Sequence, residues 1–316
     1  MRLPVLYIIA PCYNEAEIIR ETTSALLSLL RSMESDCLIS ADSRILYADD
    51  GSCDATWDII KSLTQENKDI HAIRLSRNRG HQNALMAALM YSRGKCDAAV
   101  TVDADLQDDI SKIPQMVAHY LKGAQIVYGV RVSRAKDTRF KRISASMFYR
   151  LLTFLGVEIV GNHADFRLMS SAALDALSEF SEVNLFLRAM APLIGFKTAR
   201  VTYERQKRIG GKTKYPLRKM ISFSLDAITS FSIKPIRIIS SIGLFVFLIS
   251  IIMLIYSLVQ HFAHQTVIGW SSLIISVWAL GGLQLLAIGV IGEYIGKIYI
   301  ETKRRPRYII EEIIDK

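Results

Sequence analysis

Residues 98–109 read A-A-V-T-V-D-A-D-L-Q-D-D. An apolar run, 98–102, ends abruptly in four carboxylates: Asp103, Asp105, Asp108 and Asp109. The run is too short for a helix and suits a buried central strand. In an open α/β sheet, ligands bind beyond the carboxyl ends of such strands. Asp103 and Asp105 leave the strand there, one residue apart. Hard oxygen donors of this kind suit Mg2+ or Mn2+, and those ions suit diphosphates. A second acidic turn, Asp49-Asp50-Gly51-Ser52-Cys53-Asp54-Ala55-Thr56, follows another short apolar run at 45–48. If both runs are parallel strands of one sheet, the two acidic turns meet on one edge.

The elements that must position these turns are legible around them. Residues 3–10 read as a first buried strand, short and followed at once by the turn Pro11-Cys12-Tyr13-Asn14-Glu15, so they do not form a leader peptide. Ile19, Thr22, Leu26, Leu29 and Met33 recur at helical spacing. A helix begins near Thr56, with Ser52 or Asp54 to cap it and Gly51 to allow the turn before it. Strands are predicted at 70–75, 126–128 and 199–203, and helices from about 81 to 91, 113 to 122 and 144 to 155. Residues 161–168 read as a turn entering a helix, with Asp165 a candidate cap. Strands alternating with helices predict a mostly parallel sheet covered on both faces.

Composition adds a membrane. The chain has 316 residues, 51% of them hydrophobic, and a net charge of +9, so anionic partners fit. Its four cysteines form no C-x-x-C pair, which argues against a disulfide framework or zinc site and suits a reducing compartment. Arg205, Lys207, Arg208, Lys212, Lys214, Arg218 and Lys219 lead into Leu217, Met220, Ile221, Leu225 and Ile228 on one helical face, an amphipathic pattern expected to lie on a bilayer. No Lys, Arg, Asp or Glu occurs from 238 through 292, 55 residues. A spanning helix needs about 20 apolar residues, so this stretch predicts two, at about 238–260 and 268–292. Lys234 and Arg237 before it, and Lys297, Lys303, Arg304, Arg305 and Arg307 after it, put both flanks in the cytoplasm by the positive-inside rule. The expected organisation is a catalytic domain at 1–213, interfacial helices at 214–236, a transmembrane hairpin at 237–295 and a cytoplasmic tail at 296–316. The positive charge gathers beside the spans, which disfavours a nucleic-acid binder.

Together these residues resemble the inverting, GT-A-fold glycosyltransferase family 2. The matching pieces are P-C-Y-N-E at 11–15, D-D-G-S-x-D-x-T at 49–56 and D-A-D-L-Q at 103–107. G-x-R at 129–131, D-F-R-L at 165–168, R-x-x-G-x-T-K-Y at 208–215 and G-E-Y-I-G-K-I-Y at 292–299 are similar to the polyprenyl-phosphate subgroup, most of all its bacterial bactoprenol branch. The resemblance implies that Pro11, Tyr13, Asn14 and Glu15 line the nucleotide pocket, with Ala48 and Asp50 at base and ribose. Asp103, Ala104, Asp105 and Gln107 would hold the diphosphate, with Asp103, Asp105 and Gln107 around Mg2+ or Mn2+. Arg131, Arg142 and Ser146 would grip the acceptor's phosphate, and Arg208 and Lys214 would close over the diphosphate. Asp165 is the subgroup's candidate base, although orienting an arginine or the acceptor is the role expected here. Processive synthases carry Q-x-x-R-W. Here Gln206 is followed by Lys207, Arg208 and Ile209, so one sugar per acceptor is expected.

The implied reaction moves a sugar, from UDP-glucose or a related UDP-sugar, onto undecaprenyl phosphate for cell-envelope polysaccharide modification. The implied location is the bacterial inner membrane. Rival readings are a GDP-mannose-using polyprenyl-phosphate mannosyltransferase, an inactive lipid-handling scaffold, and a nucleotidyltransferase, which would need no hairpin. Self-association is compatible with a small membrane hairpin. Deleting 238–316 is expected to weaken transfer to long lipids more than nucleotide-sugar binding.

Overall fold

A computed structural model describes residues 2–131, 163–182, 187–204, 234–262 and 270–315. They fall into two compact units. Residues 2–131, 163–182, 187–204 and 305–315 belong to the first, and 234–262 and 270–304 to the second.

The first unit is built on an eight-stranded sheet. Its strands are β1 (Leu6–Cys12), β2 (Arg44–Asp49), β3 (Ile70–Leu75), β4 (Ala98–Thr101), β5 (Ile126–Arg131), β6 (His163–Ser170), β7 (Thr198–Tyr203) and β8 (Ile310–Ile314), in the order β7-β5-β6-β4-β1-β2-β3-β8. β1 pairs in parallel with β2 and β4, β2 with β3, and β5 with β7. β6 runs antiparallel between β4 and β5, and β8 antiparallel along β3. Every residue of β1 and β4 is buried, as continuous apolar strands of a two-sided sheet should be. The result is a mixed, mostly parallel sheet covered by helices, as the alternation of strands and helices predicts.

The covering helices are α1 (Ile19–Ser35), α2 (Thr56–Glu66), α3 (His81–Ser92), α4 (Ile113–Leu121), α5 (Ser171–Ser178) and α6 (Leu187–Leu193). α1 buries Ile19, Thr22, Leu26 and Met33 of the stripe its spacing predicts, but Leu30 is buried where Leu29 was expected, and Leu29 is only half-buried. α3 buries six residues in a row, 84–89; three are alanines, which let it lie close on β1 and β2.

Two parts of the sequence reading need correction. Residues 163–170 are a strand, not a turn into a helix. The helix starts at Ser171, capped by the Ser170 hydroxyl, which accepts from the Ala173 N–H at 3.1 Å. Asp165 therefore caps nothing. The second correction concerns the tail from 296: residues 310–314 are an edge strand of the sheet.

The second unit contains two long helices, α7 (Lys234–Phe262, 29 residues) and α8 (Trp270–Thr302, 33 residues). Within α8, Leu280–Thr302 is long and apolar enough to cross a membrane by length and composition, and it is the one such stretch found among the described residues. Apolar side chains on both helices are exposed, Phe245, Ile252 and Leu285 among them. The interfacial helices expected at 214–236 lie, up to residue 233, outside the described residues, as do the helix expected at 144–155 and the join 263–269.

Candidate active site

The carboxyl ends of β1, β2, β4 and β5 lie on one edge, and both acidic turns emerge there. The turn after β1 is stitched to the turn after β2. Asn14 N–H donates to Ser52 Oγ (3.0 Å), Cys53 N–H to Asn14 Oδ1 (2.9 Å), and Glu15 N–H to Thr56 Oγ1 (2.9 Å). Asn14 takes the left-handed conformation (φ 54°) that this requires. Asp49, fully buried, accepts from Ser52 N–H and hydroxyl. Asp50 accepts from the N–H groups of Arg79 (2.7 Å) and Gly80 (2.8 Å), which fixes the loop leading into α3. Burial raises the Asp50 carboxyl, and these two N–H groups oppose the rise. Pro11 and Ala48 are buried at the strand ends, while Tyr13 is exposed.

The D-x-D turn is tied to α1 by Thr22 Oγ1, which donates to Ala104 C=O at 2.7 Å. Gln107, buried, donates its N–H to Asp105 Oδ1 at 3.2 Å. Asp103 is pushed up to about 6, first by burial and then by the charge of Asp108, with Asp165 and Asp105 adding to it. Asp108 is itself buried. Its Oδ1 accepts from Arg131 Nη2 at 3.1 Å and from the Tyr203 hydroxyl, and Arg131 Nε also donates to that hydroxyl at 3.0 Å. Its Oδ2 is buried with no hydrogen-bond partner among the described residues. Arg131 closes β5 and Tyr203 closes β7, so the parallel pairing Arg131↔Tyr203 puts this triad at the same edge.

Asp165, near the start of β6, anchors a second cluster. Arg167 Nη2 reaches it at 2.8 Å, Arg188 Nη2 at 3.1 Å, Gln82 Nε2 at 3.3 Å and His81 Nε2 at 3.5 Å. Burial alone would raise its carboxyl. His81, Arg188 and Arg167 outweigh burial and hold it well below the usual carboxylate range.

No group of three or more His, Cys, Asp or Glu is preformed as a metal cage among the described residues. The donor set nevertheless fits a hard divalent cation. Asp103, Asp105 and Asp108 crowd one turn, Asp103 resists ionising, and a buried Asp108 oxygen lacks a donor. A cation would relieve all three.

The structure thus brings Pro11, Tyr13, Asn14, Glu15, Ala48, Asp50, Asp103, Ala104, Asp105, Gln107, Arg131 and Asp165 to one sheet edge or its loops. Arg142, Ser146, Arg208 and Lys214 lie outside the described residues. Sequence reasoning missed Tyr203, Arg188 and Gln82, and gave Asp108 no role. Arg167 had a signal: at i+2 from Asp165 on a strand it shares a face with it. Arg188 had none, being one basic residue on a short helix.

The sequence profile of glycosyl transferase family 2 matches residues 7–178, and that of the GtrB C-terminal hairpin matches 234–298. The chain is 49% identical over 308 residues to the glycosyltransferase YkoT of Bacillus subtilis (strain 168), covering 98% of this chain and 91% of the relative. It is 37% identical over 308 residues to a prophage bactoprenol glucosyl transferase homolog of Escherichia coli (strain K12), covering 97% and 98%. It is 37% identical over 306 residues to a bactoprenol glucosyl transferase of Shigella phage SfX, covering 96% and 98%. On the matched profile and these full-length likenesses, the chain belongs to glycosyl transferase family 2.

Proposed function

We propose that this glycosyltransferase moves one sugar, with inversion, from a nucleotide-diphosphate sugar onto undecaprenyl phosphate at the cytoplasmic face of the membrane. The observation that carries the reading is the meeting, on one sheet edge, of the D-x-D turn with Arg131. Carboxylates suited to a cation and a guanidinium suited to an anion share that edge, which supports a reaction between a diphosphate and a second phosphate. Likeness to bactoprenol glucosyl transferases over the full length, hairpin included, supports the lipid acceptor and a glucosyl donor, which we take to be UDP-glucose. In this reading α7 and α8 both span the bilayer and hold the domain at the depth of the lipid headgroup.

The acceptor's nucleophile is a phosphate oxygen. Its second pKa lies near about 6, so it is largely ionised at neutral pH and needs no strong base. Positioning and charge neutralisation therefore dominate. Asp103, Asp105 and Gln107 would hold Mg2+ or Mn2+, which supplies electrostatic stabilisation of the departing diphosphate. Asp50 fixes the loop at 79–80 beside the nucleotide. Arg131, braced by Asp108 and Tyr203, offers a planar fork to the acceptor's phosphate, with Arg142 and Ser146 assigned beside it. Arg208 and Lys214 are assigned to the closing loop.

The test is a panel of radiolabelled nucleotide sugars incubated with membranes and undecaprenyl phosphate, with and without EDTA. Label should enter the lipid phase from one sugar, stop with chelator, and return with Mg2+ or Mn2+. Asp105→Asn should lower turnover by about 100-fold or more. Transfer indifferent to both chelator and Asp105→Asn would remove the metal from the scheme. A label entering only from GDP-mannose would select the mannosyl donor instead.

A further inference from the structure

Asp49 is fully buried at the end of β2, and the guanidinium of Arg74 stands beside it on β3. The β2–β3 ladder makes the two neighbours, and Arg74 Nε comes within 3.5 Å of Asp49 Oδ2. Arg74 Nη2 also donates to Ser52 C=O at 3.4 Å. Asp49 in turn accepts from the Ser52 N–H (3.1 Å) and from the Ser52 hydroxyl. With its proton directed at Asp49, that hydroxyl is left to accept the Asn14 N–H at 3.0 Å. Arg74 is thus three contacts from the turn at 11–15: Arg74 to Asp49, Asp49 to Ser52, Ser52 to Asn14.

The other carboxylates nearby have partners of their own. Asp50 accepts from the N–H groups of Arg79 and Gly80, and Asp54 from those of Thr56 (3.0 Å) and Ala16 (3.4 Å). Glu312 accepts from the Trp57 indole and pairs with Lys61. Arg74 faces a second carboxylate besides Asp49. The β3–β8 ladder passes from Arg74↔Glu312 to Leu75↔Ile310, a bulge that skips Glu311, and Glu311 stands 3.9 Å from Arg74 Nε. The Glu311 side chain is 56% exposed, so water screens it, whereas Asp49 has no water to turn to. The Trp57 ring lies under the guanidinium, its centroid 5.8 Å from Arg74 Cζ. Burial raises the Asp49 carboxyl, and the two bonds from Ser52 and the charge of Arg74 oppose the rise. A protonated Asp49 would offer Ser52 a donor and compete with Asn14 for the Ser52 oxygen.

We propose that Arg74 is a positioning residue for the donor's nucleotide: by holding Asp49 as the acceptor of the Ser52 hydroxyl, it sets Asn14 and the turn at 11–15 against the turn at 49–56. The proposal rests on the glycosyltransferase reading for the identity of the ligand that those turns hold.

The test uses the full chain in detergent. It measures the Kd of uridine and guanosine diphosphates with Mn2+ by calorimetry, and the KM for undecaprenyl phosphate at saturating donor. Arg74→Gln should raise the nucleotide Kd by about tenfold, as expected when a charged partner of a buried group is lost, and should leave the lipid KM within about twofold. Arg74→Lys should recover part of the loss, since an ammonium can face Asp49 but lacks the planar fork that also reaches Ser52 C=O. Glu311→Gln should change the Kd by less than about twofold, the share of a screened surface pair. Ser52→Ala should raise the Kd as Arg74→Gln does, and the double variant should bind little worse than either single one, because both break the same chain of contacts. If the two effects multiply instead, Arg74 does not act through Ser52 and the proposal falls. A lower melting temperature for Arg74→Gln with an unchanged Kd would make Arg74 a support of the sheet alone, and overturns it too. If Arg74→Gln does not fold, Arg74→Lys with Ser52→Ala runs the same cycle, and an unchanged Kd for Arg74→Lys is then the overturning result. Should the parent chain bind nucleotide but transfer no sugar to lipid phosphate, the functional reading fails by itself and the cycle still decides on Arg74. A parent chain that binds neither nucleotide overturns both.

Discussion

Glu312 accepts a hydrogen bond from the Trp57 indole N–H at 3.1 Å, although 255 residues separate them. Lys61, one turn along α2, pairs with the same carboxylate at 2.8 Å. Behind both contacts lies the ladder of β8 on β3, which sets Ile314 opposite Ala72 and Ile313 opposite Ile73. The Tyr91 hydroxyl and Lys95 reach Asp315 from α3 and the loop after it. Residues that follow α8 in sequence are thus part of the catalytic sheet. The deletion of 238–316 considered from sequence would strip that edge as well as the anchor, so it cannot separate lipid docking from nucleotide binding. Ending the chain after Arg304 should cost about 2–4 kcal/mol, from several ladder hydrogen bonds and partly buried isoleucines. It should also leave β3 open to edge-to-edge association. Thermal unfolding and light scattering of the shortened chain beside the full chain in one detergent measure both. An unchanged melting temperature would make β8 a passive addition.

Gly51 allows no side chain. Its φ is +67°, and a Cβ there would lie 2.7 Å from the Arg77 carbonyl carbon. That backbone belongs to the loop that Asp50 fixes through Arg79 and Gly80. Gly51→Ala should therefore cost about 2 kcal/mol or more, from the left-handed strain plus the clash, and should loosen the nucleotide site with it. Denaturant unfolding and nucleotide binding should fall together. Loss of stability with intact binding would detach this loop from the site.

The Tyr203 hydroxyl donates to Asp108 and accepts from Arg131, so it braces the one arginine of the D-x-D edge that closes a strand. Tyr203→Phe removes a donor from a buried carboxylate, at a cost of about 1–3 kcal/mol. The ring still packs edge-on against Phe166, centroids 5.3 Å apart, so the fold should survive. Turnover should drop by roughly tenfold, the size of one lost hydrogen bond to a charged group. The readout is lipid-linked label at saturating donor, and full activity would mean that Arg131 holds its place without the hydroxyl.

What was legible in the sequence follows from what local pattern encodes. Continuous apolar runs located β1, β2 and β4, and their parallel alternation with helices put Asp50 and Asp103 on one edge. Strand β6 was misread because D-F-R-L mixes charge into a run that looks like a turn. Its charges are buried only because Asp165 and Arg167 satisfy each other two residues apart, which no composition count can see. Strand β8 is hidden within the stretch expected to be a cytoplasmic tail, since Glu311 and Glu312 break its apolar pattern and Asp315 follows it; those charges find Arg74, Trp57, Lys61 and Lys95 only once β3 and α2 are in place. Arg188 and Tyr203 join the site through sheet order and helix placement, both long-range properties.

His81 gives the site a pH signature with a definite sign. Burial pushes its imidazole down, but the hydrogen bond and charge of Asp165 win and raise it above the ordinary 6.5. Protonated His81 therefore stabilises the folded chain. That contribution is fully present below about pH 6.5 and is lost as pH rises through the raised value. The Asp165 carboxyl is depressed, so its contribution is present above about pH 3.9 and is lost only as pH falls through its lower folded value. Between those limits the pair is at full strength. His81→Gln should accordingly destabilise the chain most near pH 5–6 and hardly at all near pH 9. With two-fifths of the side chain exposed, solvent screening keeps the difference below about 1 kcal/mol. Unfolding of both proteins across that range, with NMR titration of the imidazole, measures the effect directly. A gap that widens toward alkaline pH would mean that neutral His81 is the stabilising form, and that Asp165 does not hold its proton.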